Sequence, residues 1–101
     1  MSSLSADEIR GRNVVDKEGI QLGEVRDVVF DPERWRVTGL RVGLDRDIAG
    51  RLQVERPLLG SPVLTFSADR VQAVGDTIIL NLEAQTIADL LREGGSGGAA
   101  P

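Results

Sequence analysis

Hydrophobic positions recur in short alternating runs along this chain, and the phase of the alternation keeps slipping. In IQLGEVRDVVFD (20–31), Ile20 and Leu22 share one face, Val25 takes the other, and Val28 and Phe30 return. A long strand with Gly23 inside it and a shifting phase predicts a bend or a bulge. WRVTGLRVGL (35–44) slips as well: Trp35 and Val37 have one parity, whereas Leu40, Val42 and Leu44 have the other. One bulge at Thr38–Gly39, where glycine permits it, puts all five on one face and turns Arg36 and Arg41 outward. Between the runs, DPER (31–34) offers Asp and then Pro where a type I turn takes them. The two runs predict a bent hairpin, with Trp35 on the core-side face near the strand end.

The flanking pattern predicts smaller elements. SADE (5–8) fits a capping box on one short turn of helix. RNVVD (12–16) reads as a short strand, and KEG (17–19) as a tight turn with a left-handed glycine. DRDIAGRLQV changes period: Ile48, Ala49 and Leu52 make the stripe of a helix over about 45–53, with Asp45 as its cap. ERPLLGSP (55–62) is a loop that carries Leu58 and Leu59. Strands follow at 63–66 and 71–74, with a turn or a single helical turn at SADR between them. Gly75–Asp76 suits a type II′ turn into the alternation of Ile78, Leu80 and Leu82. TIADLLRE (86–93) predicts a last helix capped by Thr86, with Ile87, Leu90 and Leu91 as its stripe. The Gly/Ser/Ala stretch 94–101 reads as a flexible tail, native or appended. The sum is a mainly β fold: a small barrel of five to six bent antiparallel strands, with short helices at the N-terminus, the crossover and the C-terminus.

Composition narrows the function more than the fold. A chain of 101 residues predicts a single domain, here over 1–93. There is no Cys, no His and no Tyr, so disulfides, thiol redox sites and the usual bases and nucleophiles are missing. The net charge of −4 disfavours a general nucleic-acid binder and predicts no DNA partner. No apolar run has the length of a membrane span, so no membrane insertion is expected. With no signal or lipidation motif, the expected location is the cytoplasm.

Several stretches in order resemble one known family. GRNVVDKEGIQLGEVRDVVFD resembles the opening of a PRC-barrel domain: a D-x-x-G turn (Asp16 to Gly19), then Gly23, Val25, Asp27, Val28 and a further Asp31. WRVTGLRV is similar to the strand that follows, and ADRVQAVGDTIIL to the closing hairpin. LDRDIAGRLQVERPLLGSP resembles the helix and loop of small stand-alone, archaeal-type members. The resemblance spans roughly residues 4–93 and implies a PRC-type barrel. It also implies a non-enzymatic interaction module, since members occur in photosynthetic reaction-centre H subunits, in a ribosome maturation factor, and as dimeric cell-division adaptors. The expectation is therefore an adaptor or scaffold without cofactor, a homodimer docking an unidentified cytoplasmic partner protein. The alternative is a ribosome- or RNA-associated module, which the acidic total disfavours.

Each candidate site has a plain structural reading beside it. Asp16, Glu18, Asp45 and Asp47 could hold a hard cation through oxygen, but turns and caps favour Asp in any case; no catalytic or metal residue is expected. Trp35 with Arg34 and Arg36 could stack on a base and hold phosphates. As Trp and Arg are also the common anchors of protein interfaces, the expected interaction residues are Trp35, Arg34, Arg36, Leu58 and Leu59. Equally, Trp35 could lid the barrel of its own subunit, with Leu58 or Leu59 against it.

Overall fold

The capping box forms as its residues dictate. In α1 (Ala6–Ile9), the Glu8 N–H donates to Ser5 Oγ at 3.2 Å, and the Ser5 N–H donates to Glu8 Oε1 at 3.1 Å. Arg12 then ties the end of this turn down: its Nε donates to the Glu8 carbonyl and its Nη1 to the Gly75 carbonyl, at 3.0 and 2.6 Å. The computed structural model describes residues 3–52 and 62–94. Leu58, Leu59 and 95–101 lie outside the described residues, as do the side chains of Leu90 and Leu91.

The strands are β1 (Asn13–Val15), β2 (Gln21–Asp31), β3 (Arg36–Leu44), β4 (Val63–Ser67), β5 (Val71–Val74) and β6 (Thr77–Leu80). They form one sheet in the order β4-β3-β2-β1-β6-β5. Gly19, at φ 89°, closes the turn from β1 to β2 in the left-handed conformation expected of it. The slipping phase resolves into bulges. Thr38 is the extra residue of β3, because Val29 pairs with Gly39 and Phe30 with Val37. Arg26 is the extra residue of β2 against β3, and Leu22 against β1. These bulges let Leu22, Val25, Val28, Leu40, Val42 and Leu44 all turn to the core side despite their mixed parity.

Two expectations about the sheet need correction. The strands are not all antiparallel, for β1 and β6 run parallel. The reason lies at the 3₁₀ turn Ala68–Arg70, where the Ser67 hydroxyl bonds the Asp69 carboxylate. A β4–β5 hairpin there would have sent β6 antiparallel to β1; the chain turns a corner instead. The barrel is also not closed by hydrogen bonds among the described residues, because β4 and β5 end the sheet as its two edges. Gly75 is not left-handed, so the β5–β6 turn is not type II′; its N–H reaches the Thr77 carbonyl at 3.2 Å.

Helices close the core. α2 (Arg46–Leu52) buries Ile48, Ala49 and Leu52, the stripe its period predicts. The Asp45 carboxylate accepts the Gln21 amide at 3.3 Å, and its carbonyl accepts the Ala49 N–H at 2.8 Å, the first bond of the helix; no bond from its side chain to a helix N–H is among those of the described residues. α3 runs Ala84–Gly94, starting two residues before the expected Thr86 cap. Its cap is Asp16, a buried carboxylate that accepts the Ala84 N–H at 2.9 Å. α3 buries Ala84, Ile87 and Ala88. Among the described residues no helix is long and apolar enough to cross a membrane.

Candidate docking groove

The far end of the β2–β3 hairpin outruns its neighbours. β1 pairs with β2 only over residues 21–24, and β4 pairs with β3 only over residues 39–43. Val28 sits at the limit of those ladders, half-packed on the core; beyond it Phe30 and Val37 keep the inward phase but have no core to enter. Val28 is half-buried, whereas Phe30 and Val37 are exposed. The in-phase apolar stripe thus becomes the floor of an open groove of about 460 Å³, walled by Ala6 of α1 and by Arg10, which follows it.

Trp35 stands at the mouth of this groove, 80% exposed. It precedes β3 and has φ 52°, which makes it, among the described residues, the only non-glycine in the left-handed region. That region costs an L-residue about 1–2 kcal/mol. The turn holds the indole edge-on to Phe30, with ring centroids 5.5 Å apart and planes at 81°. Trp35 therefore does not lid the described core, one of the two placements the sequence left open.

Arg36 was expected to point away from Trp35; it lines the same groove. Arg36 opens β3 next to Val37, so strand alternation still sets the two on opposite faces, and Arg36 is exposed; both border the groove. Arg34 is exposed at the turn, its Nε 3.8 Å from Asp31 Oδ2. On the α1 side, Arg10 pairs with Asp7 at 2.7 Å and with Asp27 at 3.9 Å. Sequence reasoning missed Phe30, Val37 and Arg10 as site residues. The shared phase of Phe30 with Val28 hid Phe30 as core, and Arg10 reaches the groove only because α1 folds onto β2.

Of the cation candidates, Asp16 and Asp45 are otherwise engaged. Asp16 Oδ1 accepts the Glu18 and Ile20 N–H groups at 2.9 and 2.8 Å, leaving its carboxylate bound to backbone. Among the described residues, no three His, Cys, Asp or Glu groups gather as a metal set. The groove offers apolar floor, two ring edges and a charged rim, which is equipment for recognition.

The α1 wall titrates. The Glu8 carboxyl is held below its ordinary value, chiefly by the Ser5 backbone N–H and then by the Ser5 hydroxyl. A lowered folded value means that the cap contributes fully above the ordinary glutamate range and is lost as pH falls through the lowered one. The protection of the Glu8 and Ile9 amides, taken relative to the intrinsic exchange rate at each pH, should therefore fall on acidification before that of the sheet amides. Uniform exchange across α1 and β2 through that range would contradict the assignment.

A family model described as PRC-barrel domain matches residues 1–84. No curated protein matches the chain.

Proposed function

The chain belongs to the PRC-barrel domain family, whose domains are small binding modules, and from that premise we propose that it is a non-enzymatic adaptor that docks protein through the Trp35 groove. Self-association as a homodimer belongs to the same proposal, as does a cytoplasmic place of work. One observation carries the reading. The sole Trp of the chain occupies a left-handed position where Gly is cheaper, and it stays exposed. Local strain kept at a surface position is expected where that side chain serves contact with something else. Covering a large apolar side chain is worth about 1.5–3 kcal/mol, enough to offset the strain on binding.

The test separates strain from contact. Trp35→Gly and Trp35→Ala both remove the indole, but only Gly relieves the backbone. The Gly variant should be the more stable of the two by about 1 kcal/mol in urea denaturation. Both variants should lose the proteins that the wild-type chain retains from its host, and any wild-type dimer should weaken in sedimentation. An unchanged partner set and an unchanged mass for both variants would remove the groove as the docking surface.

A further inference from the structure

The charges around the groove point to the chemistry of its occupant. Asp7 and Asp27 both face Arg10. Asp31 lies directly across the ladder from Arg36, yet its carboxylate is turned elsewhere: Oδ1 accepts the Glu33 N–H at 2.9 Å and Oδ2 faces Arg34. Arg36 is left, among the described residues, with no carboxylate within ion-pair distance, and it lines the groove beside Trp35, Phe30 and Val37. We propose that the groove takes an acidic peptide segment, with an apolar side chain against Phe30, Trp35 and Val37 and a neighbouring carboxylate on Arg36.

This rests on the docking reading above and adds a sign to it. A basic segment would meet Arg36, and Asp27, the one carboxylate among the residues that line the groove, already faces Arg10. A nucleic acid would need a row of free cations, whereas this rim is mostly neutralised pairs. The groove lies within the range of about 300–1,000 Å³ typical of small-ligand sites, so it suits a few side chains and not the whole face of a long helix.

Because Trp35 is the only Trp, intrinsic fluorescence reports on this site alone. Two short leucine-containing peptides serve as probes, identical except that the glutamates of one are lysines in the other. The glutamate peptide should shift Trp35 emission to the blue and bind about fivefold more tightly than the lysine peptide, the scale of an exposed ion pair. Arg36→Glu, at an exposed position, should reverse that order, and Arg36→Gln should level it. Equal affinities in the wild-type protein, or an order unchanged in Arg36→Glu, would overturn the acidic preference while leaving the groove a docking surface. No emission shift with either peptide would also overturn it. The docking reading itself falls only if the Trp35 variants keep the wild-type partners and mass.

Discussion

Gly23→Ala should lose about 3 kcal/mol or more of stability, the upper end of what overpacking a tight core costs. A Cβ on Gly23 would sit 1.9 Å from the Gly43 carbonyl oxygen and 3.0 Å from the Leu44 Cα. Both are backbone atoms of the paired strand, so no side-chain rotation relieves the clash; β2 and β3 must part where Leu22, Val25, Val42 and Leu44 meet. With typical domain stabilities of about 5–15 kcal/mol, that is a large share of the total. Gly43→Ala is the matched control. Its Cβ would meet the Arg26 side chain, with Nε at 2.3 Å, and a flexible exposed side chain can swing away. Urea denaturation should therefore separate the pair by at least 1–2 kcal/mol, on the scale of backbone against side-chain strain. Equal midpoints for the two variants would mean that the strands do not approach so closely.

The same two strands show how far a sequence can be read. The bulge at Thr38 is legible because a run of inward residues changes parity once, next to a glycine, and only one inserted residue restores it. The capping box and the α2 stripe are equally local. The groove is hidden for a different reason. Phase says which way Phe30 and Val37 turn, but whether a core waits there depends on how far β1 and β4 extend alongside, and that is a property of other segments. The position of Trp35 was hidden too: its left-handed backbone takes it out of the alternation that put it on the core-side face, and no pattern marks a Trp as left-handed. The parallel β1–β6 pairing was hidden as well, since SADR reads as a turn whether it makes a hairpin or a corner. Among the expected contact residues, Trp35, Arg34 and Arg36 cluster at the hairpin end, while Phe30 and Arg10 join them only through folding.

Asp16→Ala should cost about 3–5 kcal/mol, more than an ordinary turn aspartate, because it strips the acceptor from three backbone donors at once. Asp16 is the one polar or charged side chain buried among the described residues, at 1% exposure. Its Oδ1 serves the Glu18 and Ile20 N–H groups and shapes the β1–β2 turn; its Oδ2 serves the Ala84 N–H, 68 residues away. The Lys17 N–H to the Leu82 carbonyl, at 2.9 Å, and the Lys17–Glu83 ion pair, at 3.4 Å, bind the same turn to the approach of α3. One carboxylate therefore folds a local turn and docks a distant helix, and a sequence scan for caps looks only at the adjacent residue. Asp16→Asn divides the two roles. Its amide oxygen can still serve Glu18 and Ile20, but its NH₂ faces the Ala84 N–H, donor against donor, at a cost of about 1–3 kcal/mol. Amide exchange should then quicken at Ala84 while protection persists at Ile20. In Asp16→Ala both should be lost together. Protection at Ala84 that survives Asp16→Asn would show that α3 is held by its packed Ile87 and Ala88 face and that the carboxylate contributes only the turn.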